Sequence, residues 1–328
     1  SASNTPVRER VFGAGHYLRP SFIQTYNCDN VLIEGVTLKN APMWFVHPVL
    51  SRNVTIRNVT TIANGPNTDG ANPESCRDVL IEGCLFDTGD DCIALKSGRN
   101  EDGRRLATPI ENVIIRRCQM KNGHGGITFG SEMAGGARII FPEDTTMSSP
   151  ELDRGLRIKT NSVRGGYVEN LFVRNVTIGE VREAAIRIDM FYEEGDAGPH
   201  TPTVRNIDVR NLRSAKSRYG LYLTGYDHAP IQKLRLTDCA FDGVAEGNIV
   251  RGTTDVEMTN VTLTGQHGLA QAPAPVGTRP WSVRMADSAI ARNPDPLSVD
   301  SHDVARWNYT QGLQFHAILE AWRATGDA

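Results

Sequence analysis

One phrase of two short strands, each opened by a turn residue, recurs along the chain and limits what it can fold into. It reads NVLIEGVTLKN from Asn30, NVTIRNVTTIAN from Asn53, DVLIEGCLFDTG from Asp78 and NVIIRRCQMKNG from Asn112. It returns from Asn170 and Asn206, and in weaker form from Lys233 and Asp255. The first three copies are spaced by 23 and 25 residues and the last two by 22. Within each copy apolar and polar residues alternate, the two-residue period of a strand. A repeat of this length made of strands and turns predicts a solenoid, because one turn cannot bury its own apolar face and stacked turns can. The leucine-rich pattern LxxLxLxxN is absent and no helical segment fills each period. The expected fold is therefore all-β, a right-handed parallel β-helix over residues 19–268. The wider gaps between copies leave room for inserted loops or a further, unclear turn. Asn at the turns suits positive φ and local hydrogen bonding. The 31 glycines suit tight turns rather than long helices.

The residues outside this span read differently. Residues 1–18 form a short lead-in. Residues 269–280, with Ala-Pro-Ala-Pro, read as a linker. Residues 281–328 carry a helical pattern in which Leu313, Ile318, Leu319 and Trp322 share a face. That segment is expected to be a short helical cap or the start of a further domain. The formal charge of -3 gives no bulk electrostatic case for nucleic acid or an anionic membrane. No stretch is long and apolar enough to span a bilayer. The six cysteines, Cys28, Cys76, Cys84, Cys92, Cys118 and Cys239, lack zinc-type pairing and sit mostly in alternating apolar runs, so packed thiols are expected.

Polar motifs close successive copies of the phrase. Asn67-Thr68-Asp69-Gly70 follows the second, Gly89-Asp90-Asp91 closes the third, and Gly123-His124-Gly125-Gly126 closes the fourth. Arg157-Ile158-Lys159 comes later, with Ile158 expected inward and its basic neighbours outward. Any one of these alone would ordinarily be a turn or an exposed strand. In a solenoid, equivalent positions on neighbouring turns lie one strand spacing apart, so Asp69, Asp90, Asp91, His124, Arg157 and Lys159 should converge on one face. Crowded carboxylates raise one pKa and retain a proton near neutrality. One protonated and one ionised carboxylate are what glycosidic cleavage requires. The adjacent cations suit a substrate that itself bears carboxylates.

These ordered motifs, NTD, GDD, GHG and RIK, resemble those of the polygalacturonase family of pectin-degrading glycoside hydrolases, from about Arg19 to Gly265. Gly130-Ser131-Glu132-Met133 and Arg164-Gly165-Gly166 are similar to its bacterial, exo-acting branch. The resemblance implies inverting hydrolysis of α-1,4-galacturonosidic bonds in homogalacturonan or oligogalacturonides. Asp90 would be the general acid, Asp69 and Asp91 would activate water, and His124 would support the acid. Arg157, Lys159, Tyr192 and Asn67 would bind substrate, and no metal or other cofactor is implied. Exo action is favoured, with 133–150 and 192–202 as segments that could wall off the cleft. The family also has N-terminal coils and a capping helix that residues 1–18 are too short to supply, so the expectation is either that the chain is a fragment or that another segment or chain covers that end. The C-terminal segment resembles the opening of an unsaturated glucuronyl or rhamnogalacturonyl hydrolase, an (α/α)6 barrel, which would make a fused downstream hydrolase. The expected partner is an acidic pectic polysaccharide. The expected location is secreted, periplasmic or at the cell surface, in a bacterium; the opening Ser1-Ala2-Ser3 reads as a scar, so the lack of a signal peptide does not make the protein cytoplasmic. A pectate lyase and a noncatalytic pectin-binding β-helix are the alternatives.

Overall fold

The computed structural model describes residues 19–265, and they form a right-handed parallel β-helix. They lie in the first of two compact units, Ser1–Ala272. The second, Pro273–Ala328, and with it the expected linker and helical segment, lies outside the described residues, as do residues 1–18.

Nine strands stack in parallel along one wall: Asp29–Glu34, Arg52–Arg57, Arg77–Glu82, Ile110–Arg116, Ala137–Met147, Tyr167–Glu180, Thr203–Lys216, Ile231–Val244 and Thr253–Gly265. Each lays its inward pair over the next in register. Val31 and Ile33 meet Val54 and Ile56, which meet Val79 and Ile81, then Val113 and Ile115. This column is the centre of the core, and burial of its branched side chains is the main stabilising term. All six cysteines are free thiols, and five of them are buried in or beside this core.

The repeat has a backbone cause. Every coil carries two left-handed residues five positions apart: Asn30 and Gly35, Asn53 and Asn58, Asp78 and Gly83, Asn112 and Arg117, and so on to Asp255 and Asn260. Asn and Asp tolerate this region, and their side chains then link coil to coil. Asn53 Nδ2 donates to Asn30 Oδ1 at 2.6 Å, and Asn211 Nδ2 to Asn175 Oδ1 at 2.9 Å.

The same rule exposes a coil in which the repeated phrase is not spelled out. Between Asn112 and Asn170 the strand Ala137–Met147 pairs with both neighbours, with Ile139 and Asp144 in the two left-handed positions. Ile139 occupies the place that Asn or Asp holds in most coils, which hides the copy. This corrects the expectation that residues 133–150 wall the cleft, because most of that segment is a regular coil of the solenoid. A β-branched residue at φ 59° is strained. Ile139 is also part-exposed, so little burial is lost on replacing it. Ile139→Asn is expected to stabilise the fold by about 1 kcal/mol, read as a higher midpoint of chemical denaturation. An unchanged or lower midpoint would refute that strain.

A second parallel stack carries the polar motifs. It runs through Val46–Val49, the bridging residues Ala71 and Glu74, Ile93–Leu95, Ile127–Gly130, Arg154–Lys159, Ala184–Asp189, Tyr219–Thr224 and Ile249–Arg251. Its register aligns Ala71, Ile93, Ile127 and Leu156, so the residues preceding them stack as well.

Candidate active site

Asp69 and Asp91 each stand two residues before an aligned core position, which makes them equivalents on consecutive coils. The backbone fixes this: Gly70 N donates to Asp91 O at 3.0 Å, and Cys92 N to Gly125 O at 2.8 Å. Asp90 and His124 are likewise one residue further back on their coils. Oxygens of Asp69, Asp90 and Asp91 lie within 4.8 Å of one another. Gly125 is required at this point. A Cβ there would come within 2.3 Å of Thr128 Oγ1 and 3.0 Å of Asp91 Oδ1.

The three carboxylates have different surroundings. Asp91 is fully buried and held by cations: Lys159 Nζ donates to Oδ2 at 2.8 Å, Arg157 Nη1 to Oδ1 at 3.2 Å, and Thr128 Oγ1 to Oδ1 at 2.9 Å. Burial alone would raise its pKa, but Lys159 and Arg157 outweigh burial and hold it well below the usual carboxylate range. Asp69, also buried, accepts from Asn72 Nδ2 at 3.0 Å. Burial pushes its pKa up to about 7, with Asp91 and Asp90 adding to the rise and Lys96 opposing it. Asp90 is the most open of the three, its side chain 15% exposed. It accepts from the Asp91 backbone N–H at 2.9 Å and from Asn67 Nδ2 at 3.4 Å, and pairs with His124 Nδ1 at 3.1 Å. Burial pushes Asp90 up, yet His124 and Lys159 outweigh it and leave it below the ordinary value. The Asp90 pairing raises the His124 pKa.

Every site residue expected from the sequence lies in one cleft, of about 340 Å³, or directly against it. Ile158 packs in the core while Arg157 and Lys159 turn to Asp91. Tyr192 covers both cations, its ring centre 5.7 Å from the Arg157 guanidinium and 5.5 Å from Lys159 Nζ. Arg19 Nη2 donates to Asn67 Oδ1 at 2.7 Å and so braces the residue that contacts Asp90.

Other contributors were not singled out in the sequence. Lys96 is buried, pairs with Glu132 Oε2 at 2.8 Å and lies 4.5 Å from the Trp44 ring centre. Asn72 and Thr128 hold Asp69 and Asp91. Their signal was available in the register, since Lys96 shares the coil position of Lys159 two turns on. The carboxylate trio also has the composition of a cation site. Lys159, Arg157 and Lys96 already supply positive charge to it, and a divalent ion would be repelled by all three.

A parallel β-helix with three carboxylates, a histidine and a basic pair on one face defines a solenoid of the glycoside-hydrolase kind. The chain belongs to the glycosyl hydrolases family 28, whose profile matches residues 14–268. It is 31% identical over 313 residues to a probable polygalacturonase of Vitis vinifera, a match covering 92% of this chain and 60% of that protein. It is similar to the crystal structure of a hyperthermoactive exopolygalacturonase from Thermotoga maritima, at 42% identity and a TM-score of 0.75. That match covers 80% of this chain and 59% of the other. The polygalacturonase of Erwinia carotovora superposes with a TM-score of 0.54 at 25% identity, over 74% of this chain and 60% of that one. The chain thus spans about 60% of the length of each of these relatives.

Proposed function

We propose that this protein hydrolyses α-1,4-galacturonosidic bonds in homogalacturonan or oligogalacturonides. The observation that carries the reading is the carboxylate trio set against Arg157 and Lys159, with Tyr192 over the two cations. A galacturonate carboxylate placed at that pair puts its glycosidic oxygen beside Asp90, the carboxylate most open to the cleft. Asp90 donates the proton, and Asp69 and Asp91 position and deprotonate the attacking water. His124 orients Asp90 through their hydrogen bond. Asn67 steadies Asp90 from the other side.

Substrate also supplies the missing protonation. Its carboxylate competes for Lys159 and Arg157, which weakens their hold on the trio, and its sugar ring excludes water. Both effects raise the Asp90 pKa. A proton that resides on Asp69 in the free site has only a few ångströms to travel within the trio.

Hydrolysis and elimination are separated by assaying homogalacturonan for new reducing ends and for the absorbance of unsaturated uronates. Reducing ends alone support hydrolysis. Unsaturated product would establish a lyase, and binding without turnover a noncatalytic module. The trio is more compact than the roughly 6.5–9.5 Å typical of inverting pairs, so inversion rests on the family resemblance. Proton NMR of the first product decides it, with the β-anomer expected. Exo action is supported by the loop after Asp189, which carries Tyr192 into the cleft, and by the likeness to the Thermotoga exopolygalacturonase. It predicts slow viscosity loss with early release of small product. Residues 281–328, expected to cap the solenoid or to open a barrel hydrolase, lie outside the described residues. Among the described residues no helix is long and apolar enough to cross a membrane. A site outside the cytoplasm, where pectin is met, accords with the substrate; the relatives come from plants, bacteria and fungi.

A further inference from the structure

One buried arginine in the cleft wall has donors to spare. The Arg164 side chain is 1% exposed, yet it lines the same cleft as Asp90 and Lys159. Its Nη2 pairs with Glu193. Its Nε and Nη1 are buried and have no partner among the described residues. Those N–H groups are donors only, so they are desolvated and unmatched.

The two halves of the Arg164–Glu193 pair are held very differently. The Arg164 backbone is fixed from several directions. Asn161 Oδ1 accepts from the N–H groups of Val163 and Arg164 at 3.0 and 2.9 Å. Arg104 Nη1, from the helix Asn100–Leu106, donates to the carbonyls of Val163 and Arg164, each at 3.0 Å. Glu193, by contrast, is 48% exposed and follows directly on Tyr192. A solvent-facing carboxylate is therefore the ion-pair partner of a rigid, buried cation inside a cleft, with Glu132 and Glu194 acting on it only through the longer-range field. Of the other cations lining the cleft, Lys96 is paired with Glu132, and Lys159 and Arg157 face Asp91, where they form the first carboxylate site; Arg99 also lines the wall.

We propose that Arg164 recognises a substrate carboxylate other than the one held by Arg157 and Lys159. Glu193 occupies its guanidinium in the free protein and is displaced when acidic substrate enters. The inference rests on the reading of the cleft as a galacturonan site. It adds a second point of charge recognition, which explains why a cation is kept buried with open valence. It also gives a competition whose sign can be measured. An internal carboxylate that must be displaced weakens binding, whereas one with a purely structural role does not.

The test uses the whole chain and oligogalacturonides, with KM and kcat measured beside thermal melts. Glu193→Gln keeps shape and hydrogen bonding but removes the competing charge. It is expected to lower KM about threefold with kcat little changed, the scale of an exposed ion pair. Arg164→Gln is expected to raise KM about tenfold or more, the scale of a lost charge-assisted hydrogen bond. Arg164→Lys should fall between, because it keeps the charge and loses the fork. Methyl-esterified oligomers should show none of the Glu193→Gln gain. A parent that cleaves galacturonan, with a Glu193→Gln variant of equal or higher KM, overturns this proposal and leaves the proposed function standing. A parent that neither binds nor cleaves galacturonan removes both.

Discussion

Asp90→Asn is expected to lower kcat on galacturonan about 10²–10⁴-fold, the scale of losing a positioned general acid, while KM stays within about twofold because the substrate-holding cations are untouched. Asparagine nearly preserves the shape and can still accept from the Asp91 N–H and pair with His124, so the fold should not suffer. What it cannot do is deliver a proton to a departing sugar oxygen. The case for Asp90 over its neighbours is one of access. Asp91 is sealed beneath Lys159, Arg157 and Thr128, and Asp69 is buried against Asn72. Asp90 alone of the three has a substantial opening to the cleft. Its low pKa in the free protein is set by His124 and Lys159 against the effect of burial. A neutral galactan chain would leave Lys159 in place and fail to raise it. The measurement is steady-state release of reducing ends from pure variant and parent, with circular dichroism confirming the fold. A variant within a few-fold of parental kcat would remove Asp90 from the donor role and direct attention to Asp69.

The fold was legible because its repeat is a backbone requirement. Each coil needs two left-handed residues, and Asn, Asp or Gly at those places can be read directly, as at Asn53 and Asn58 or Asp78 and Gly83. The coil at Ile139 was hidden because Ile there breaks the spelling without breaking the geometry. Pro142 on the same strand disguises it further. The reactive groups were legible as motifs and their convergence followed from coil register. The supporting charges were harder to see. Lys96 sits in the run Ile93-Ala94-Leu95-Lys96, which reads as a core strand with an exposed end, and only the register shows that its end faces the trio. Arg164 depends on loops that enter from three coils, and no local pattern predicts that a guanidinium there will be buried. Nor could the sequence rank the three aspartates by pKa. That order comes from Lys159 and Arg157 reaching Asp91 and His124 reaching Asp90, while burial outweighs Lys96 and Asn72 at Asp69.

The ranking has a consequence for stability, because Asp69 is the one carboxylate of the trio that the fold disfavours when ionised. Its pKa rises from an ordinary 3.8 to about 7, chiefly through burial. The folded protein therefore binds more protons than the unfolded chain between those two values, and stability falls as pH rises through that window. Below 3.8 the protonated group costs nothing, and above 7 the whole penalty of an ionised Asp69 is present. At 1.36 kcal/mol per pKa unit the penalty is on the order of 4 kcal/mol. Asp91 works in the opposite direction. Its depressed pKa adds stability above the ordinary carboxylate range that is lost as pH falls through it. Asp69→Asn replaces the penalised anion by a neutral side chain of the same shape that can still accept from Asn72. It is expected to abolish most turnover and yet raise the melting temperature at pH 8, with little change near pH 4. The parent should lose the comparison only at high pH, since at low pH its own Asp69 is already neutral. Melting curves of the two proteins from pH 4 to 8 test this directly. A variant less stable than the parent at pH 8 would mean that the trio carries no proton in the free protein. The acid would then have to be charged by substrate binding alone. A variant more stable but inactive would show that the ionised Asp69 is retained for water activation at the expense of the fold.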